Sequence, residues 1–222
     1  LSLLNGKINT KKSILATIIK NKEYIRIMDK FDSVGELHFS YWTDELIKEG
    51  YIEQVVLQPE AYILSNPVNR MYEKKMKKAE SKKMSQTILR EHVYTPDVLI
   101  VWTKKAKGIF YVTIEAADKL LPHHLIANHQ GFENRDVWAT TIELKPSYDH
   151  QNMTRLASLN IKWVYEKYNH VIEMVKMPDF FKKTFTPDRY LLTDKSYESR
   201  KINFKTRSLR SFINDFSEQK KN

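Results

Sequence analysis

The triplet Glu143-Leu144-Lys145 sets a carboxylate and an ammonium two residues apart. On a β-strand successive side chains point to opposite faces, so Glu143 and Lys145 emerge side by side while Leu144 turns into the other layer. A second carboxylate is needed before that pair can do chemistry. Asp97 is the candidate, because it follows Pro96 at the head of the apolar run Val98-Leu99-Ile100-Val101-Trp102. If the two strands are adjacent, Asp97, Glu143 and the Leu144 carbonyl form an all-oxygen metal set suited to Mg²⁺ or Mn²⁺, ions that take few protein ligands and keep several waters. A phosphodiester resists hydrolysis because its charge repels the attacking hydroxide, and a divalent metal activates water while offsetting that charge. Lys145 can then orient the water or stabilise developing charge. An isolated Glu-x-Lys triplet in a Lys-rich chain equally describes a salt bridge on an exposed strand, so its surroundings must separate the two readings.

Those surroundings predict an α/β fold, a mixed central β-sheet flanked by helices. Thr10 caps a helix through Ile14, Leu15, Ile18 and Ile19, followed by a short helical stretch over Tyr24 to Met28, so 1–32 reads as an N-terminal helical extension. Ser33-x-x-Glu36 precedes apolar residues at helical spacing (Leu37, Tyr41, Leu46, Ile47) and a stop at Gly50. Ile52 to Leu64 reads as one or two strands broken at Pro59. A strand from Asp97 is followed by a turn at Lys104 to Gly108 and a hairpin partner over Ile109 to Ile114, and then by a polar, His-rich insertion over 115–136. Trp138 to Lys145 is a further strand, Asn152 to Tyr168 a helix and Val171 to Met177 a last strand. The core therefore spans 33–180, with a basic tail over 181–222.

The formal net charge is +10 with 12% aromatic residues, a balance that favours a polyanionic partner. The charge is concentrated in two places. Residues 70–90 hold eight Lys or Arg against two Glu and read as an exposed basic helix or arm, while 195–210 hold six against one. Candidate phosphate contacts are Lys74, Lys75, Lys77, Lys78, Lys82 and Lys83 in the arm, Gln151, Asn152 and Arg155 after the Glu143 strand, and Arg200, Lys201, Lys205 and Arg207 in the tail. With no cysteine, disulfides and thiolate zinc sites are excluded. His123, His124 and His129 match no standard zinc spacing and read as loop histidines facing DNA or solvent. Trp138 and Trp163 read as core. No apolar run reaches the ~20 residues of a membrane span, and Leu1 to Ile19 lacks a signal-peptide profile, so a cytoplasmic location with no membrane partner is expected.

The segments Tyr94-Thr95-Pro96-Asp97-Val98-Leu99-Ile100 and Thr141-Ile142-Glu143-Leu144-Lys145-Pro146, followed by a helix and a strand, resemble the PD-(D/E)xK nuclease superfamily. The superfamily includes restriction enzymes, transposon end-cleaving endonucleases and phage Holliday-junction resolvases. The likeness extends upstream through Ser33-x-x-Glu36 and Leu57-Gln58-Pro59 and covers about residues 33–177. It implies a restriction-endonuclease-like core and a Mg²⁺-dependent endonuclease acting on DNA, with Asp97 and Glu143 as metal ligands and Lys145 as the catalytic lysine. Glu36 would be the helix carboxylate that holds a metal-bound water or second metal. That Ser-x-x-Glu pattern is also an ordinary capping box, and Asp44 or Glu45 could replace Glu36. The resemblance further implies a phage or mobile-element setting, the bacterial host cytoplasm, a homodimer in the case of a junction resolvase, and a larger phage or transposition complex. A non-cleaving DNA-binding or scaffold protein on the same fold is the rival reading. The residues alone do not separate DNA from RNA.

Overall fold

The computed structural model describes Met28 and residues 30–75, 81–147 and 153–219. The helices expected before residue 28 lie outside that set. Ser33 opens helix α1 (Val34–Lys48) from an extended backbone, and its Oγ accepts the Glu36 N–H at 3.1 Å. Gly50 closes the helix region at φ +69°, a left-handed conformation that costs glycine little. Between these ends Leu37, Phe39, Trp42 and Leu46 repeat at helical spacing and are buried. Trp42 stacks on Phe39 and Phe185 and donates its indole N–H to Thr184 Oγ1 at 3.2 Å.

The strands are β1 (Ile52–Leu57), β2 (Tyr62–Ser65), β3 (Val68–Lys75), β4 (Ser81–Leu89), β5 (His92–Tyr94), β6 (Val98–Trp102), β7 (Tyr111–Thr113), β8 (Leu125–Phe132), β9 (Arg135–Pro146) and β10 (Ile172–Met177). The central sheet has six strands in the order β1-β6-β9-β8-β7, with β10 also on β9. Pairings of β1 with β6, β6 with β9 and β8 with β9 are antiparallel, while β9 with β10 and β7 with β8 are parallel. The sheet is therefore mixed. β9 organises it, pairing with β6 on one side and with β8 and then β10 on the other. Asn128 joins β8 to β10 by imitating a peptide: its Nδ2 donates to the Val171 carbonyl at 2.8 Å and its Oδ1 accepts the Val171 N–H at 2.9 Å. Helices α1, α2 (Met153–Tyr168), α3 (Asp179–Lys183) and α4 (Leu209–Gln219) flank the strands. None of the helices among the described residues is long and apolar enough to cross a membrane.

Four expectations about the elements are corrected. The basic arm is a β-ribbon, because β3 and β4 pair along their length from Val68↔Leu89 to Lys75↔Ser81. Cross-strand pairing outweighs the helical spacing that the segment also permits. The strand after Gly108 is not the hairpin partner of β6, both of whose edges are occupied by β1 and β9. β7 lies instead at the far margin on β8. The stretch 115–136 is no mere insertion, since it supplies β8, with Leu125 and Ala127 buried in the sheet. Within the stretch read as a basic tail, Phe181, Phe185, Tyr190 and Phe212 of the described residues 181–219 pack inward into the main core. Trp138 packs partly buried against that core, but Trp163 on α2 stands 43% exposed beside His92.

Candidate active site

The site forms where β6 begins and β9 ends. The β6–β9 ladder runs from Val101↔Ala139 to Val98↔Ile142, and the Asp97 N–H donates to the Ile142 carbonyl at 3.1 Å. This antiparallel register sets Asp97 level with Glu143, and strand alternation puts Lys145 on the same face as Glu143. Asp97 Oδ2 accepts the Leu144 N–H at 2.6 Å. N–H and C=O of one strand residue project toward the same edge, so the Leu144 carbonyl also faces the Asp97 side, beyond the last β6 pairing. The three proposed oxygen donors thus share one strand end.

Glu143 is 6% exposed, which removes the reading of an open surface salt bridge. Its Oε1 pairs with Lys145 Nζ at 2.6 Å and its Oε2 accepts the Tyr94 hydroxyl at 2.7 Å. Tyr94 is buried on β5, and both burial and the Glu143 carboxylate push its phenol well above the usual range. Burial also raises Asp97, and the neighbouring charge of Glu143 raises it further. The Leu144 amide and the Lys145 ammonium oppose those effects, Glu36 adds to them, and the carboxyl settles at about 6. That position reflects burial first and the neighbouring Glu143 carboxylate second, beyond what the Leu144 amide and Lys145 offset.

Glu36 is a capping-box carboxylate that also lies within electrostatic reach of Asp97. It closes the capping box, with Oε1 accepting from Ser33 Oγ at 2.9 Å and Oε2 from the Asp32 N–H at 3.1 Å. The same carboxylate is near enough for its charge to raise Asp97. Asp44 and Glu45 lie elsewhere on α1, around a cavity shared with Lys48, Asp188, Arg189 and Arg210. Among the described residues no three His, Asp or Glu side chains converge as a ready-made metal cage. Two carboxylates with one carbonyl match the small protein share that Mg²⁺ takes, and hard oxygens suit that ion.

The basic candidates divide. Lys74, Lys82, Lys83, Arg155, Lys201 and Lys205 are exposed, whereas Lys77, Lys78, Gln151 and Asn152 fall outside the described residues. Lys75 pairs with Ser81 through its backbone. Arg200 and Arg207 turn inward. Arg200 binds Asp194 Oδ1 at 2.8 Å and the Tyr190 and Leu192 carbonyls, and Arg207 caps the Lys183 and Thr184 carbonyls above Phe212. These guanidinium groups fasten the C-terminal segment, while Lys201 and Lys205 of that set are the exposed ones. His123 and His124 are also packing residues, set edge-on against Phe216, with His123 also against Phe212. Burial, with the His124 and Arg207 charges, pushes His123 down to about 4. His129 lies against Trp138.

Two residues at the site carried no assigned role in the sequence. Tyr94 holds Glu143 from another strand, and only the adjacent Thr95-Pro96-Asp97 hinted at its position. Gln58, at φ +47°, donates its N–H to the Asp97 carbonyl at 2.8 Å, so a strained non-glycine turn fixes the β6 entry. No protein-family model, curated protein or solved structure matches the chain.

Proposed function

We propose that this chain is a divalent-metal-dependent nuclease that hydrolyses DNA phosphodiester bonds, an endonuclease on a restriction-endonuclease-like core of PD-(D/E)xK type. The observation that carries the reading is the convergence of Asp97, Glu143, the Leu144 backbone and Lys145 at one strand end, with Asp97 held near 6 by burial and by Glu143. Asp97, Glu143 and the Leu144 carbonyl would hold Mg²⁺ or Mn²⁺, which supplies an activated water and offsets phosphate charge. Lys145 places an ammonium at the same face, where it can stabilise charge developing on the phosphate. Tyr94 fixes the rotamer of Glu143, and Glu36 adds negative potential from the start of α1. DNA is the proposed partner, and a phage or mobile-element setting, with its larger complex, rests on the resemblance alone.

The test is incubation of purified protein with Mg²⁺ or Mn²⁺ and linear, nicked, single-stranded and four-way-junction DNAs. Metal-dependent cleavage is expected, lost in Asp97→Ala and Glu143→Ala while binding persists. Tight binding without cleavage under every ion would instead establish the non-cleaving rival. Paired symmetric cuts confined to junctions, made by a dimer, would establish a resolvase.

A further inference from the structure

The β3–β4 ribbon has two unlike faces. Its register pairs Arg70 with Gln86, Tyr72 with Met84 and Lys74 with Lys82, which puts these six side chains on one face. The next pairs, Met71 with Ser85 and Glu73 with Lys83, lie on the other. Five of the six residues on the first face are exposed, and Met84 is half-buried. Each ribbon strand has the other as its principal packing partner. Lys74 directly opposite Lys82 is a like-charge pair, which by itself weakens a ladder. A two-stranded ribbon is only marginally stable in water without a further partner, so this repulsion is tolerable where a polyanion lies against it.

We propose that this face of the ribbon enters the major groove of double-stranded DNA, with Arg70 and Gln86 at base edges and Lys74 and Lys82 on flanking phosphates. The inference rests on the nuclease reading for its choice of nucleic acid and names that site's substrate as B-form duplex. The B-DNA major groove is about 12 Å wide and admits a two-stranded ribbon. Strands about 4.8 Å apart, with side chains added, fit that width. The major groove of duplex RNA is too narrow and deep for side chains to read. Arg and Gln are the side chains that pair bidentately with guanine and adenine there, and here they sit directly opposite one another. The ribbon is also tied to the site. β4 leads through Arg90 and Glu91 into β5, whose Tyr94 holds Glu143. Eight residues of extended chain from Gln86 to Tyr94 reach at most about 27 Å, or about 8 base-pair steps at 3.4 Å. The base-contacting pair is therefore tethered within about one helical turn of Tyr94.

Gln86→Glu and Ser85→Glu provide the test, because they add the same charge to adjacent exposed residues on opposite faces. Binding is measured by anisotropy on a short duplex with Ca²⁺ in place of Mg²⁺, and cleavage is measured separately. The expected result is that Gln86→Glu weakens binding by at least about tenfold and Ser85→Glu by about twofold or less. The triple variant Arg70→Ala/Lys74→Ala/Lys82→Ala should lower the salt slope by about one for each phosphate it no longer neutralises. A major-groove-blocking dye should compete and a minor-groove ligand should not. Equal effects of the two Glu substitutions would overturn the proposal, as would equal affinity for duplex and single-stranded DNA. Face-dependent binding with no cleavage under any metal would uphold the ribbon and sink the nuclease reading. Cleavage with no face dependence would do the reverse. Circular dichroism melts of both variants exclude misfolding as the source of the difference.

Discussion

Asp97 and Asp194 are both drawn out of water by the fold, yet their surroundings drive their proton affinities in opposite directions. At Asp97 burial raises the carboxyl and Glu143 raises it further, beyond what the Leu144 amide and Lys145 offset, to about 6. At Asp194 burial also pushes upward, but hydrogen bonds from His38 and Arg200, together with their charges, overcome it and hold the group far below the usual range. His38 Nε2 lies 3.0 Å from Asp194 Oδ2 and Arg200 2.8 Å from Oδ1, and the Tyr41 hydroxyl donates at 3.2 Å. One carboxylate is saturated by its own protein and clamps the C-terminal segment to α1. The other is held high by burial and by a second carboxylate, with one backbone amide donating to it. Asp194 is held as a structural fastening, while Asp97, beside a second carboxylate, is where the proposed nuclease would hold its metal.

That contrast can be broken most directly by removing each carboxylate. Asp97→Ala and Glu143→Ala should each reduce cleavage by more than about 100-fold, because even outer partners of a metal site are worth 10–100-fold. DNA affinity should hold or rise as negative charge leaves the phosphate's approach. Asp194→Ala should leave turnover per folded molecule unchanged and instead cost about 3 kcal/mol of stability in urea unfolding, since it strands a partly buried guanidinium. Near wild-type cleavage in both site variants, or a rate collapse in folded Asp194→Ala, would erase the distinction. Tyr94→Phe should fall between them, lowering apparent metal affinity about tenfold by freeing Glu143. That loss should shrink at high Mg²⁺.

The pH dependence sharpens the contrast because the signs differ. Asp97 titrates higher in the folded chain than its ordinary 3.8, so the folded state binds the proton more tightly. Its contribution to stability therefore falls as pH rises from about 4 through 6. Asp97→Asn should be more stable than wild type above pH 6, with the gap closing near pH 4 in metal-free melts. Asp194 is depressed, so its contribution is present above the ordinary carboxylate range and is lost as pH falls. The smallest effect expected is a rise of a few degrees in wild-type melting temperature with Mg²⁺ or Mn²⁺ at pH 7.5, by mass action on the folded state, absent in Asp97→Asn. Ca²⁺ should give a similar shift without supporting cleavage, since its looser coordination positions water poorly. A shift of equal size in Asp97→Asn would place the ion elsewhere.

The strand alternation of Glu143-Leu144-Lys145, the capping box at Ser33 and Glu36, the stop at Gly50 and the break at Pro59 are local properties, and the sequence determined them alone. Each depends on backbone geometry within a few residues, which is why the α/β class could be read from the chain by itself, while the adjacency of the Asp97 and Glu143 strands entered only as a condition. Partners distant along the chain could not. Tyr94 meets Glu143 across 49 positions, and Asp194 meets His38 across 156. The fates of β7, β8 and the basic ribbon turned on which strand edges were already filled, a property of the assembled sheet. Arg200 and Lys201 are neighbours of like charge, and nothing in their spacing shows that one turns inward to a partly buried aspartate while the other faces water. Tertiary structure decided such cases because hydrogen bonding and charge act through space, whereas periodicity reports only which face of its own element a residue occupies.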